Sequence, residues 1–137
     1  MSEVHAALGL LQLNTSEETL KARQNIDQIY RTALDGIDGI NCLSRPVLDK
    51  DNYSYFPIVI SESYPLNRDE LFEKLKQNQI FARKYFYPLM TELNVYQAFY
   101  TETPKARKLS EQVLCLPMYP TLSMDQCRTI INVILDR

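Results

Sequence analysis

Two cations followed by three aromatic residues form the group in this sequence whose types and spacing best suit ligand binding: Arg83, Lys84, Tyr85, Phe86 and Tyr87. A guanidinium can hold a phosphate or a carboxylate with two hydrogen bonds, and an aromatic face can stack on a base or a sugar ring. The group therefore suits an anionic ligand that also has a flat part. The alternative is that the aromatic rings fill a core while the cations lie in solvent, and chemistry alone favours this alternative.

The sequence contains no complete active-site motif. With three glycines in the whole chain, no glycine-rich phosphate loop can form, and neither GxSxG nor HExxH occurs. The single histidine, His5, would need a cysteine beside it to form a nucleophile pair, and a surface or interface position is more common for such a residue. The three cysteines, Cys42, Cys115 and Cys127, are odd in number and lack zinc-ligand spacing. We therefore predict no metal site, reduced thiols and a cytoplasmic location.

The composition is that of an ordinary globular domain. The chain has 137 residues, 15 of them basic and 17 acidic, which gives a net charge of −2, and 45% of its residues are hydrophobic. This length suits one domain with a substantial core. A slightly acidic chain argues against nucleic acid as a partner, because phosphate binding needs clustered positive charge. No apolar run of about 18 residues and no signal-peptide pattern occurs, so we predict no membrane segment.

Hydrophobic periodicity and capping residues predict five helices. The first covers residues 2–12 and has no capping residue before it. The second covers about 16–35, where Thr15 and Glu18 have capping-box spacing and Gly36 suits the left-handed position after the end. The other three are predicted to begin after Asn67 with Glu70, at Thr103 with Pro104, and after Ser123 with Gln126.

Four short strands are predicted between these helices, at residues 37–43, 53–60, 80–82 and 113–116. Pro57 has no N–H to donate to a ladder, so it predicts an edge position or a bulge for the second strand. Residues 45–52 hold a proline and several charges, which favour a loop. The order of elements is typical of an α+β fold: a small, mostly antiparallel sheet with helices packed on one face.

Several stretches of the chain, in order, resemble the motifs of one enzyme family. Residues 1–13 are similar to the helix M-S-E-x-x-A-A-L-G-x-x-Q-L of the DegT/DnrJ/EryC1/StrS sugar aminotransferases. The similarity continues through residues 68–71, 80–89, 113–120 and 122–123. These stretches span essentially the whole chain, and together they are specific, although any one alone would be weak.

The resemblance implies a fold, a cofactor and partners. The family has the aspartate-aminotransferase fold, forms homodimers, and uses pyridoxal 5′-phosphate (PLP) to move an amino group from glutamate to a nucleotide-linked keto-sugar. Residues 1–137 are then expected to be the C-terminal small domain of such an enzyme, and residues 1–35 the helices that lead into it from a large PLP-binding domain. None of the seven lysines matches the family's PLP lysine motif. We therefore expect neither a bound cofactor nor activity in this chain alone.

A separated small domain is also expected to expose apolar surface that includes residues 2–12, and to self-associate through it. The competing interpretation is a stand-alone, non-catalytic α+β module that binds a ligand or a protein. Such a module would have a polar surface and stay monomeric.

The resemblance also changes the interpretation of the cation-aromatic group. The family's frequent R-V-H-Y segment corresponds to residues 83–86, with Tyr85 where many members have histidine, and Met90 stands where many have a second histidine. The version in residues 83–89 is similar to the branch that acts on dTDP-linked keto-6-deoxyhexoses, and leaves open whether C3 or C4 is aminated. The resemblance thus implies that Arg83, Lys84, Tyr85, Phe86 and Tyr87 bind substrate.

Overall fold

The structure, a computed structural model, describes residues 1–45 and 51–135. In these residues there are five α-helices and four strands: α1 (Glu3–Asn14), α2 (Ser16–Leu34), β1 (Ile40–Cys42), β2 (Phe56–Ile60), α3 (Arg68–Gln77), β3 (Arg83–Lys84), α4 (Pro104–Gln112), β4 (Val113–Leu116) and α5 (Met124–Leu135). Two short 3₁₀ helices, Met90–Glu92 and Asn94–Phe99, lie between β3 and α4.

The four strands form one antiparallel sheet in the order β1-β2-β4-β3, which confirms the predicted α+β fold. The strand that contains Pro57 is an inner strand, so the predicted edge position is wrong. Pro57 is tolerated because β1 ends opposite Ile58, and at Pro57 the ladder continues only toward Cys115 of β4. On the β1 side, therefore, no strand residue lies opposite Pro57, and the missing N–H leaves no ladder acceptor without a donor.

The core lies between one face of the sheet and three helices, α2, α3 and α5. Alternate residues of β2 are buried, and they meet the apolar stripes of the helices. The completely buried side chains include Tyr30, Leu34, Ile58, Leu71, Leu75, Leu114 and Cys127. Tyr30 packs against Phe56 with ring centroids 5.0 Å apart and the rings tilted by 47°, and its hydroxyl donates to the carbonyl of Pro117 at 3.0 Å. This arrangement holds α2 across the centre of the sheet.

Local capping confirms two helix starts and corrects two others. Asn67 accepts from the amides of Asp69 and Glu70, and Glu70 accepts in return from the Asn67 amide, as predicted. Ser123 and Gln126 form the same reciprocal pair before α5. Thr15 makes no capping bond, because its hydroxyl donates instead to the carbonyl of Gln12 where α1 runs almost directly into α2. The α1 start was predicted to be uncapped, but the Ser2 hydroxyl accepts from the amide of His5.

The strand predicted at 80–82 is wrong, because these residues follow a helix-terminating turn. Gln79 has a left-handed φ of 61°, and the amide of Ile80 reaches back to the carbonyl of Leu75 at 2.9 Å. The amide of Gln79 bonds to Lys76, which completes a Schellman motif. Ile80 is thereby turned into the core next to Leu75, and pairing with β4 begins only at Arg83.

Two glycines with positive φ shape the turn from α2 into β1. Gly36 has φ +82° and open space around it, as its predicted place after the helix requires. Gly39 has φ +80°, and a Cβ there would overlap the backbone of Tyr64. The chain between Ile60 and α3 therefore lies directly against this turn, and only glycine fits.

The predicted loop at 45–52 falls partly on residues 46–50, which lie outside the described part of the chain. At one described end, Arg45 pairs with Asp27 of α2, and at the other end, Asp51 pairs with Arg45. Asp27, almost fully buried, accepts from Arg31 at 2.9 Å and from Arg45 at 2.7 Å, while Arg45 also donates to Asp51. Because removing one partner of a buried ion pair is costly, these contacts fix where the segment leaves and returns to the sheet.

Candidate functional site

The two cations of the predicted site lie on opposite faces of the sheet. Side chains alternate along a strand, and β3 pairs Lys84 with Leu114 and Arg83 with Cys115. Leu114 belongs to the core face, so Lys84 faces the helices, whereas Arg83 is exposed on the other face. The structure therefore does not bring these two charges together for one anion.

Lys84 is bound to the first turn of α3. Its ammonium lies 2.6 Å from Oδ1 of Asp69, above the Phe72 ring at 4.8 Å and 5.5 Å from the ring centroid of Tyr87. The hydrogen bond from Lys84, with the charges of Arg68 and Lys84, holds the pKa of the Asp69 carboxyl below its ordinary value, against an opposite effect of partial burial. Asp69 is therefore ionised at neutral pH and neutralises the charge of Lys84.

Arg68 is the buried cation beneath this pair. Its side chain is only 2% exposed, and its Nε lies 2.8 Å from the same Oδ1 of Asp69 without the angle of a hydrogen bond. A second nitrogen donates to the carbonyl of Ser110 at 2.9 Å, and the guanidinium lies 4.5 Å from the Tyr87 ring centroid. Arg68 thus connects α3, the end of α4 and the chain after β3.

The surface beside Lys84 is acidic. An open depression of about 640 Å³ borders it, and its lining residues include four carboxylates: Asp69, Glu70, Glu73 and Glu111. Carboxylates repel the diphosphate of a nucleotide sugar. Arg68 also lines the depression, but the carboxylates outnumber it and disfavour that ligand there.

The aromatic residues after β3 form a small exposed cluster. Tyr85 packs between Phe86, at a centroid distance of 4.1 Å, and Tyr55, at 5.4 Å. Phe86 is 73% exposed and has a φ of 48°, which an aromatic residue rarely adopts. Strained backbone of this kind often occurs at functional sites. These aromatic rings thus do not fill the core, which was the alternative to ligand binding that their chemistry alone favoured.

Arg83 lies on the other face of the sheet. Its side chain makes no hydrogen bond or ion pair with the residues that the structure describes. Burial raises the pKa of the neighbouring Cys115 thiol to about 11, despite the opposing charge of Arg83. The thiol is therefore a protonated, structural group, and the guanidinium is the group available to an anion.

Sequence reasoning missed Arg68, Asp69, Phe72 and Tyr55 as members of the group. In the sequence, residues 68–71 resemble a family motif and follow a helix-capping residue. Neither feature predicts that they lie against Lys84. The alternation along β3 would have separated Arg83 from Lys84 if the strand bounds had been known.

The candidate group around β3 does not fit PLP. The cofactor needs a lysine amine for an imine bond and donors for its phosphate. Lys84, which lies in the candidate group, is committed to Asp69. Gly36 and Gly39 line a depression at the α2–β1 turn together with Asp35 and Asp38 and with no cationic side chain, so this turn provides no phosphate site.

Two other kinds of site are also absent from residues 1–45 and 51–135. Among them, no group of three or more histidine, cysteine or acidic side chains could hold a metal ion. The helices found in this part of the chain include none with the length and apolar character needed to cross a membrane.

The α+β fold and the sequence motifs of this chain together point to one class of enzyme, the sugar aminotransferases. The family model of the DegT/DnrJ/EryC1/StrS aminotransferase family matches residues 1–135, and the chain belongs to that family. Its aminotransferases act with PLP, and one structural neighbour was solved in its PMP form.

Known proteins similar to the chain include two sugar transaminases. It is 43% identical over 136 residues to dTDP-4-amino-4,6-dideoxy-D-glucose transaminase of Shigella dysenteriae, covering 98% of this chain and 37% of that protein. It is 38% identical to the Escherichia coli transaminase of the same name, covering all of this chain and 38% of the relative. The chain thus spans little more than a third of the length of these relatives.

A solved structure agrees in fold. The crystal structure of DesI in the presence of its TDP-sugar product superposes with a TM-score of 0.86 and 27% identity, over 97% of this chain and 34% of DesI.

Proposed function

We propose that this chain supplies the small domain of a PLP-dependent aminotransferase that acts on a dTDP-linked keto-6-deoxy-sugar, with glutamate as amino donor. In this reaction glutamate becomes 2-oxoglutarate, and the sugar ketone becomes an amine. The observation that carries the proposal is the 43% identity to the Shigella transaminase over 98% of the chain. In such an enzyme, residues 1–35 are the helices that join the small domain, residues 1–137, to the PLP-binding part.

The chain's own contribution is a wall of the sugar-nucleotide pocket. Arg83 offers an unpaired guanidinium, which suits a diphosphate oxygen. The cluster of Tyr85, Phe86 and Tyr55 offers exposed rings for a flat or apolar part of the ligand. Tyr87 is half-exposed, and its ring lies beside Arg68 and Lys84. The enzyme is proposed to work as a homodimer in the cytoplasm, in keeping with three free thiols.

A chimera tests this function. The 136 residues of the Shigella transaminase that this chain matches are replaced by the chain. With PLP and glutamate, the chimera is expected to produce 2-oxoglutarate when a dTDP-linked 4-keto-6-deoxy-sugar is added. The chain alone, and the Shigella segment without it, are expected to produce none. A chimera that folds, binds PLP and remains inactive would overturn the proposal, and turnover by the chain alone would overturn its predicted inactivity.

Arg83→Gln in the chimera tests the wall. Loss of a charge-assisted contact with the diphosphate is expected to raise KM for the sugar nucleotide about tenfold or more, with KM for glutamate unchanged. Lys76→Met is the matched control, because Lys76 is an exposed cation whose nearest acidic partner lies 4.0 Å away on α3. An unchanged KM in Arg83→Gln would remove Arg83 from the site.

A further inference from the structure

The Lys84 ammonium is held by an ion pair with Asp69, so it is not free to bind a ligand. Its ammonium is 2.6 Å from Asp69, and its side chain is 27% exposed. A lysine that binds an anion must exchange such a partner for the ligand, at the cost of a charge-assisted hydrogen bond. The carboxylates that line the neighbouring depression add repulsion against a diphosphate.

The Asp69 carboxylate joins two cations on one oxygen. Arg68 approaches Oδ1 at 2.8 Å from below, and Lys84 approaches it at 2.6 Å from β3. Both cations also contact the same aromatic ring, that of Tyr87, with the guanidinium at 4.5 Å and the ammonium at 5.5 Å from its centroid. Both cations therefore help to position the Tyr87 ring, and the Asp69 carboxylate helps to position both cations.

The capping box of α3 fixes the backbone that carries the Asp69 carboxylate. Asn67 accepts from the amide of Asp69, so the backbone of Asp69 is fixed at the helix start. The buried guanidinium of Arg68 is in turn tied to the carbonyl of Ser110. Three elements thus meet at this ion cluster: α3, the end of α4 and the chain after β3.

On this basis we propose that Arg68 and Asp69 are positioning residues, which fix Lys84 and Tyr87 so that the aromatic cluster and Arg83 are presented on the opposite face. Lys84 then acts as a brace and does not touch the substrate. This inference rests on the proposed function for its meaning, because the presented face is the proposed pocket wall. The ion cluster itself can be tested without any activity.

The first experiment uses the chain 1–137 and observes the Lys84 ammonium by ¹⁵N NMR. A paired, slowly exchanging ammonium gives a proton signal, and a solvated one does not. The Lys84 signal is expected in the wild-type chain, lost in Asp69→Asn, and kept in Glu73→Gln, which removes the exposed acidic partner of Lys76. A Lys84 signal that survives Asp69→Asn, or that is absent from the wild type, would overturn the brace.

The second experiment compares Lys84→Met, Asp69→Asn and the double variant in the active chimera. If Lys84 is a brace, the two single variants lower kcat/KM by similar factors, on the order of tenfold, because misplacement of a binding group is costly. The double variant is then no worse than either, as expected for residues that act as one unit. Lys84→Arg, which keeps the ion pair, is expected to restore most of the activity.

Direct substrate binding by Lys84 predicts a different pattern. Lys84→Met would then raise KM strongly, while Asp69→Asn would free the ammonium and leave KM unchanged or lower it. That result would overturn the proposal. An inactive wild-type chimera would count against the proposed function alone, because the NMR result for the ion cluster does not depend on turnover.

Discussion

Gly39 is the residue whose replacement the structure forbids most clearly. It shares its positive φ with Gly36, so both positions penalise a side chain through the backbone. They differ in surroundings, because a Cβ at Gly39 meets the backbone of Tyr64 and a Cβ at Gly36 meets nothing within 4 Å. The pair therefore separates backbone strain from steric collision.

We predict that Gly36→Ala costs about 1 kcal/mol of unfolding free energy, the usual penalty of a left-handed alanine. Gly39→Ala should cost that and about 1–3 kcal/mol more, as overpacking does. Urea unfolding of both variants measures the difference. Equal losses would mean that the segment around Tyr64 moves away at little cost.

Single residues also mark the limit of sequence reasoning for the site. Arg83 and Lys84 are adjacent in sequence and were predicted to bind one substrate together. Their separation follows from β3, a strand of two residues whose bounds depend on pairing with β4 and not on its own composition. Burial of Arg68 could not be predicted either, because the carbonyl that it contacts belongs to Ser110, 42 residues away.

At the scale of elements, the helix starts with reciprocal capping were the most predictable features. Asn67 with Glu70, and Ser123 with Gln126, depend on residues three apart, so the local sequence contains all of the required information. Thr15 has the same spacing to Glu18 and fails, because the preceding turn of α1 offers its hydroxyl another acceptor. Thr15 therefore differs from Asn67 and Ser123 because a helix lies directly before it.

Two capping residues give a matched test of helix stability. Asn67 accepts from the amides of Asp69 and Glu70, while the Thr103 side chain makes no capping bond to α4. We predict that Asn67→Ala lowers the unfolding free energy by about 1 kcal/mol. Thr103→Ala should change it by less than about 0.5 kcal/mol, as surface substitutions do. Denaturant unfolding followed by circular dichroism distinguishes them, and similar losses would show that the Asn67 contacts add nothing.

At the scale of the whole molecule, burial is very unequal between the helices. The core takes its apolar side chains from the sheet, α2, α3 and α5, while α1 has no buried residue. Val4, Leu8, Leu10, Leu11 and Leu13 are all more than half exposed on α1. Such a surface on one helix favours association, because apolar area is removed from water when it is covered.

We predict that the chain self-associates in a concentration-dependent way, and that Leu8→Glu together with Leu11→Glu makes it monomeric. Sedimentation velocity over a range of concentrations measures this. Phe81→Glu is the control, since Phe81 is 77% exposed but lies outside α1, and its replacement should leave association intact. A wild-type chain that is monomeric at every concentration would instead favour the interpretation as a stand-alone module.

The Schellman turn after α3 has a consequence for how this fold can vary. Only Phe81 and Ala82 separate the buried Ile80 from β3, so this two-residue spacer decides which cation meets the helices. Deleting one of them would advance the strand by one position against β4 and invert it, sending Lys84 outward and Tyr85 toward Asp69. The length of this spacer, more than the identity of the charged residues, therefore determines which charge faces which side of the sheet. A one-residue insertion or deletion there would exchange the side chains on the two faces of this sheet edge.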